Sequence, residues 1–333
     1  MTTVARAASR IFAAFVIVWG VTSLAWLLTV TLPGDPARAL LGPSASAADI
    51  SKAREIYGLD RPLGERYARF VGRLVHRAHD HGPHASCGEI GAGLHADLGF
   101  SFTYRKPVIE LVKKRAPATL ELALAALFVQ LLLGGTLGAL AGARRGGRFD
   151  TALVAITSAL SSAPTFVTGL VLQYVLAVRL DLLPLDGRIV GPQSIRYLVL
   201  PALTLGFYGT ALTARLVRAE LGDALAEPCV RTARAKGASR LRALALHASR
   251  LALPPVAQLA ALELGALVGG AVVTEKLFRW PGLGDLAVLA IFDRDAPTVV
   301  GITLIASSGV VVATMLADLL ALWLDPRTRT RAP

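Results

Sequence analysis

The residues best suited to chemistry in this chain are the cations of the segment 227–250, EPCVRTARAKGASRLRALALHASR. Six Arg and Lys side chains accompany a single carboxylate, that of Glu227, in this segment. Guanidinium and ammonium groups at this density supply charge and directed hydrogen bonds to an anionic surface. Long apolar stretches precede and follow the segment. The pattern therefore predicts a basic helix beside a membrane that docks onto a partner, with a helix lying on anionic headgroups as the alternative.

A second group of reactive side chains lies in a histidine-rich stretch, VHRAHDHGPHASCGEIGAGLHA, which holds five of the six histidines of the chain. The spacings His-x-x-His and His-x-His can supply imidazole ligands to Zn²⁺, Ni²⁺ or Cu²⁺. The glycines and the proline between them are typical of a flexible polar loop instead. We predict a solvated insertion and keep a metal site as the alternative. Its candidate ligands are His76, His79, His81 and His84.

Composition places the chain in the membrane class. Hydrophobic residues make up 54% of it and charged residues 17%, and its mean hydropathy is +0.56. Several apolar runs reach the ~20 residues that cross about 30 Å of hydrocarbon. The first run has no small-x-small cleavage site, so we interpret it as a retained span. The six predicted spans are residues 9–32, 117–143, 150–180, 197–219, 251–274 and 297–324.

The Lys and Arg residues of the short loops orient these spans, because such loops are enriched in cations on the cytoplasmic side. They predict both termini inside and a long loop outside. The net charge of +12 is then a signal of topology, and we do not expect a nucleic-acid partner. The predicted regions are the N-terminus with the first span (1–32), an external lobe (33–116) with a histidine-rich insertion near 76–96, a five-helix core (117–324) and a cytoplasmic tail (325–333).

The basic segment resembles the coupling motif of ABC-importer permeases of the dipeptide/oligopeptide branch, in which V-x-T-A-R-A-K-G precedes H-A and a closing Pro. It departs from that motif at Pro228-Cys229, where Asp-Tyr is usual. Because Pro fits the first turn of a helix, we predict a shifted helix start at this point. Gly237 is predicted either to end the helix in left-handed geometry or to permit close approach. The resemblance implies ATPase-coupling roles for Glu227, Val230, Arg231, Thr232, Ala233, Arg234, Ala235, Lys236 and Gly237.

Further motifs of the same branch follow in order along nearly the whole chain apart from 76–96. They include GLDRPL (58–63), DLGFS (97–101) and TEKLFRWPGLG (274–284). The resemblance implies an all-α integral membrane fold of the type I ABC-importer (MetI-like) class, with a long external lobe after the first helix. It also implies a bacterial plasma membrane location, a second homologous permease, two cytoplasmic ATPase subunits and an external substrate-binding protein. The implied substrate is a di- or oligopeptide, with nickel or glutathione as alternatives.

Polar side chains within spans are costly and are usually functional or hydrogen-bonded. Gln173, Gln258 and Glu263 are therefore candidates for lining a translocation pathway, with hydrogen bonds between helices as the alternative. Pro164 and Pro201 are predicted to kink or break their helices.

Motifs of catalysis are absent from the sequence. The chain has no G-x-x-x-x-G-K-[ST] loop, so we expect ATP and Mg²⁺ in partner subunits and no enzymatic role here. A stand-alone secondary transporter is the alternative from another class. It would need paired ionisable groups at mid-membrane and usually internal repeats.

Overall fold

The computed structural model describes residues 3–31, 36–42, 44–74, 76–77, 88–91, 94–144, 146–189, 191 and 193–324. This part of the chain is predominantly α-helical, which confirms the predicted all-α membrane fold. The α-helices are α1 (Thr3–Thr31), α2 (Pro36–Leu41), α3 (Ala47–Tyr57), α4 (Leu63–Leu74), α5 (Val108–Ala143), α6 (Arg148–Ser162), α7 (Thr165–Leu172), α8 (Ser194–Ala226), α9 (Pro228–Ala235), α10 (Arg240–Ala243), α11 (Ser249–Gly270), α12 (Val272–Leu277), α13 (Leu283–Phe292) and α14 (Ala296–Leu324). Two π-helical segments are Gln173–Arg179 and Leu244–Ala248.

Among the described residues, five helical stretches are long and apolar enough to cross a membrane. They are Ser9–Thr31, Val108–Ala143, Ser194–Ala226, Arg240–Gly269 and Ala296–Ala321. The prediction of six continuous spans is not confirmed, because the predicted third span, 150–180, is divided into α6, α7 and a π-helical segment.

Pro164 causes this division. A proline pushes the preceding residue out of the helical region, and Ala163 accordingly has an extended ψ of 136°. Pro164 then stands at the N-cap of α7. Pro201 behaves differently, since α8 runs through it without a break, so of the two predicted effects the break does not occur there and the kink stays a prediction.

The chain divides into two compact units, which we describe separately. Residues 1–117 and 282–308 form the first unit, and residues 118–281 and 309–333 form the second. The core of the first unit joins segments that are distant in sequence. Its buried apolar members are Leu98, Val108, Val112, Leu283, Leu286 and Ile302.

A buried carboxylate holds the polar part of the first unit together. Asp295 is fully buried and accepts hydrogen bonds from Ser101 Oγ, from the Phe102 N–H (3.2 Å) and from Thr298 Oγ1 (2.8 Å). Beside it, a Cβ added at Gly301 would lie 2.7 Å from Val108 Cγ1. The turn before α5 therefore packs against the start of α14 with no space for a larger residue.

The histidine-rich stretch contains three short antiparallel strands, a departure from the predicted flexible insertion. β1 (His76–Arg77), β2 (Gly88–Gly91) and β3 (Leu94–Ala96) form a sheet in the order β1-β3-β2. His95 pairs with His76 on one side and with Glu89 on the other. His79, His81 and His84 lie outside the described residues, so the solvated insertion stays the prediction and the metal site its alternative.

Helix α8 is the centre of the second unit and packs against α6, α7 and α11. Small residues of α5 allow close approach to it, in the glycine cluster formed by Gly134, Gly135 and Gly138. A Cβ at Gly134 would lie 2.8 Å from the Thr210 carbonyl oxygen, and one at Gly138 would meet the Ala214 carbonyl oxygen. Gly135 has open space around it, so only part of this glycine cluster serves packing.

Polar side chains also fasten this unit from within. Arg218 of α8 pairs with the buried Asp150 of α6, with 2.6 Å between Nη2 and Oδ2. Near the start of the unit, Thr119 Oγ1 donates to the fully buried Glu275 at 2.7 Å. An ion pair and a buried hydrogen bond between its helices therefore stabilise the second unit, which carries the segment 227–250.

Candidate functional site

Helix α9 begins at the proline that departs from the coupling motif. Glu227 is its N-cap, with an extended ψ of 142°, and Pro228 is its first residue. A proline costs little there because the first N–H groups of a helix lack partners within the helix. The predicted shifted helix start is confirmed.

One side chain anchors α9 to the rest of the second unit. Val230 is fully buried, while the other described side chains of the helix are exposed or half-buried. Val230 packs in a cluster of small and apolar residues drawn from α8, α10 and α11. The buried members of this cluster are Leu221, Ala224, Val230, Ala243, Ala248 and Ala252.

The outer surface of α9 presents cations on a narrow rod. Arg231, Arg234 and Lys236 are exposed, as is Thr232, whose hydroxyl donates back to the Pro228 carbonyl at 2.9 Å. The intervening alanines, Ala233 and Ala235, add little width to the helix. Such a helix can enter a cleft and place guanidinium groups at the rim of that cleft.

Gly237 ends the helix in left-handed geometry, with φ +93°. Its N–H donates to the Arg234 carbonyl at 3.0 Å, and the Ala238 N–H donates to the Ala233 carbonyl at 3.1 Å. These two bonds form a Schellman motif, which satisfies carbonyl groups at the helix end. A Cβ at Gly237 would meet nothing within 4 Å. Of the two predicted roles of this glycine, the structure therefore supports the left-handed helix end and shows no close approach within the chain.

The chain after Gly237 turns back onto the scaffold. Ser239 caps α10 by accepting a hydrogen bond from the Arg242 N–H at 3.3 Å. The guanidinium of Arg240 donates to the carbonyl of Ala143 at the end of α5. Between these residues Leu241 is 79% exposed. Sequence analysis missed Leu241, although its position between Arg240 and Arg242 was a signal of an exposed apolar contact.

The predicted pathway residues have different surroundings. Gln173 is buried, and its side-chain amide donates to the Leu185 carbonyl at 3.1 Å. Gln258 and Glu263 are half-buried on α11. Within the part of the chain that the structure describes, neither forms a side-chain hydrogen bond or ion pair. Gln173 thus has an internal structural use, whereas Gln258 and Glu263 keep their polar atoms available, and a pathway role for the three stays a prediction.

A second buried glutamine explains one of the close helix contacts. Gln130 is fully buried on α5, and its Nε2 donates to Thr213 Oγ1 on α8 at 2.9 Å. Gly209 leaves the space that the Gln130 side chain fills, since a Cβ at Gly209 would overlap it. This glutamine therefore bonds two helices together.

Comparison with known proteins decides the family. Residues 134–330 match the family described as the binding-protein-dependent transport system inner membrane component, and residues 5–123 match the N-terminal model of the same systems. The chain belongs to this family. The predicted resemblance is confirmed, and this inner membrane component is a multi-pass membrane protein.

Three curated relatives of this inner membrane component cover almost all of it. It is 34% identical over 345 residues to the probable D,D-dipeptide transport system permease DdpB of Escherichia coli, covering 96% of this chain and 95% of that protein. It is 34% identical to the di/tripeptide transport system permease DppB of Pseudomonas aeruginosa, covering 93% and 94%. The glutathione transport system permease GsiC of Escherichia coli is also 34% identical, with the same coverage of 93% and 94%.

A solved structure shares the fold. A chain from an inward-facing crystal form of the MetNI methionine ABC transporter matches with a TM-score of 0.51 at 19% identity. The match covers 68% of this inner membrane component and 99% of the MetNI chain. At this identity the likeness concerns the fold, and it confirms the predicted type I ABC-importer architecture.

Proposed function

We propose that this chain is a permease subunit of a binding-protein-dependent ABC importer for di- or oligopeptides. It forms half of the translocation pathway beside a second homologous permease. An external substrate-binding protein delivers the peptide, and two cytoplasmic ATPase subunits, which carry ATP and Mg²⁺, supply the energy. Both termini and the segment 227–250 lie on the cytoplasmic side of the bacterial plasma membrane.

The peptide assignment rests on one observation. Relatives named for D,D-dipeptides, for di- and tripeptides and for glutathione each match more than nine-tenths of this chain at about one-third identity. All three ligands are short and peptide-like. A peptide backbone carries an ammonium, a carboxylate and amide groups, for which Glu263 and Gln258 offer complementary polar atoms on α11.

The coupling assignment is supported by the geometry of α9. Arg231, Arg234 and Lys236 are exposed at α9, which the buried Val230 anchors to the second unit. After the Schellman turn, Leu241 is exposed on α10, and Arg240 donates to the Ala143 carbonyl. A leucine between arginines also suits a helix lying on anionic headgroups, so it is membership of the binding-protein-dependent transport family that favours docking onto an ATPase subunit. A cleft in an ATPase subunit would bury that leucine and satisfy the guanidinium groups at its rim.

Uptake by a bacterial strain without its own peptide permeases tests the substrate. The strain would carry this chain with its partner subunits and would be offered labelled di- and tripeptides, glutathione and nickel. We expect accumulation of the peptides that stops when the catalytic lysine of the ATPase subunits is replaced. If nickel or glutathione were taken up and peptides were not, the substrate would be nickel or glutathione and the peptide assignment would be wrong.

Copurification tests the class of transporter. A stand-alone secondary transporter would accumulate substrate in the absence of ATPase subunits, driven by an ion gradient. We expect instead that the tagged chain retains ATPase subunits in mild detergent, and that Leu241→Glu releases them because it places a carboxylate in the apolar contact. Leu241→Met, which keeps an apolar side chain of similar size at the same position, is the matched control and should retain the ATPase subunits. Full transport by the isolated chain would overturn the assignment.

A further inference from the structure

A cavity of about 510 Å³ lies within the first unit, beside the last turns of α1. Its walls come from α1, from the connection between α3 and α4, from α4, from residues 97–102 and from the start of α14. This volume falls in the range of sites that hold small organic ligands. The permease role uses no residue of this cavity.

The cavity carries an excess of positive charge. Arg54, Arg66, Arg69 and Arg73 line it, against the two carboxylates of Asp60 and Asp97. Arg69 is bonded to Glu65 on its own helix, with 2.9 Å between Nη2 and Oε1. The lining side chains carry a formal charge of +2, or +1 when the Glu65 partner of Arg69 is included, which favours an anionic ligand.

Arg66 is the cavity arginine best placed to bind an anionic ligand. It is half-buried, and burial lowers the pKa of its guanidinium. Among the residues that the structure describes, none forms a hydrogen bond or ion pair with that guanidinium. A cation withdrawn from water without a counter-ion is costly, and a bound anion would remove this cost.

The position of the cavity along α1 identifies the environment of the ligand. The apolar span of α1 ends at Thr31, and Trp26, Thr29 and Val30 belong to the cavity wall. At 1.5 Å per residue, Trp26 lies about 8 Å below the end of the span. Trp26 therefore lies in the last two turns of the apolar span, next to the interface where Trp and Tyr are enriched.

Helix α4 follows α1 at the same depth. Its Tyr67 ring lies 5.1 Å from the ring of Trp26, and its Phe70 ring lies 6.3 Å from it. The Tyr67 hydroxyl is 2.5 Å from Ser23 Oγ. Arg66, Arg69 and Arg73 form the neighbouring face of this amphipathic helix, at the spacing i, i+3, i+7, and they line the cavity together with Phe70.

We propose that this cavity binds the phosphate of an anionic phospholipid, with the Arg66 guanidinium as a principal donor. Guanidinium groups bind phosphate oxygens in a bidentate manner. Trp26, Val30 and Phe70 then contact the glycerol and the first acyl carbons. A soluble phosphate would use the same donor but would gain nothing from that apolar wall, so the lipid is the favoured source.

Lipid retention by the full chain in nanodiscs tests this site. The nanodiscs contain phosphatidylcholine with a minor fraction of phosphatidylglycerol, and native mass spectrometry counts the lipids that remain bound after detergent release. We expect phosphatidylglycerol to be enriched over its share of the membrane. Arg66→Gln should reduce its affinity about tenfold, as the loss of a charged hydrogen bond predicts. Lys52→Gln, which removes the same charge from an exposed position outside the cavity, should leave the enrichment unchanged.

Each other outcome would overturn the proposal. Equal retention of the two lipids, or an Arg66→Gln chain as enriched as the parent, would show that no headgroup site exists. Displacement of the lipid by inorganic phosphate would identify a soluble anion as the ligand, and displacement by a dipeptide would identify a carboxylate. The melting temperature of each variant in the same nanodiscs reports whether the fold is retained. The assay has no transport step, so its result is independent of the proposed function.

Discussion

Gly237 illustrates what a single residue contributes to the segment 227–250. Its sequence context predicted two roles, and only the backbone could separate them. With φ at +93° and empty space around its Cβ position, the residue is required for its conformation. Side chains that tolerate this conformation should therefore be accepted there, and branched side chains should not.

A pair of substitutions tests this reason. In Gly237→Val the left-handed conformation costs about 1–2 kcal/mol, which favours opening of the Schellman turn by roughly tenfold. We expect lower peptide uptake and weaker stimulation of ATP hydrolysis by substrate. The side chain in Gly237→Asn is similar in size to that in Gly237→Val, but asparagine tolerates positive φ. Gly237→Asn should therefore retain most of the peptide uptake and of the stimulated ATP hydrolysis. Equal loss in the two variants would show that volume or chemistry at this position matters, and not conformation.

At the scale of elements, helix α9 depends on one buried contact. Val230 is fully buried in the cluster formed with α8, α10 and α11, and the remaining side chains of α9 contribute little burial. A short helix with few tertiary contacts is stable only while such an anchor holds. Its local stability should therefore respond strongly to the size of this side chain.

Amide hydrogen exchange of residues 228–235 measures that response. Val230→Ala removes buried methyl groups worth about 1–2 kcal/mol, so exchange in α9 should accelerate roughly tenfold. Thr232→Ala changes an exposed residue of the same helix and should alter exchange little. If both variants exchanged at the parental rate, α9 would be held by contacts other than the Val230 cluster.

The two prolines predicted to interrupt helices show why element boundaries were only partly predictable. The long spans follow from uninterrupted apolar runs, and five of them have the predicted locations. Pro164 breaks its span because Ala163 adopts the extended conformation that a following proline favours. Pro201 has the same chemistry but lies inside the continuous α8, which is buried around it. The difference between Pro164 and Pro201 is due to tertiary packing, which a local sequence pattern does not predict.

At the scale of the whole molecule, contacts between distant segments were not predictable from the sequence. Asp295 bonds to Ser101 and Phe102 across almost two hundred residues, and the core of the first unit joins 98–112 to 283–302. The order of the motifs along the sequence indicated the family, but it did not indicate which residues of the distant segments contact each other. The local structure of the segment 227–250 was partly predictable because its residues are contiguous, and its signals of glycine and proline act locally.

The two cysteines offer a test of how the whole molecule crosses the membrane. Cys229 is exposed on α9, and the proposed topology places it inside and Cys87 outside. A membrane-impermeant maleimide should therefore label intact cells carrying Cys229→Ser, which retains Cys87, and should not label cells carrying Cys87→Ser. Permeabilising the inner membrane should expose Cys229 to the reagent. Labelling of Cys229 in intact cells would place α9 on the exterior, where no ATPase subunit is available, and the coupling role would then be wrong.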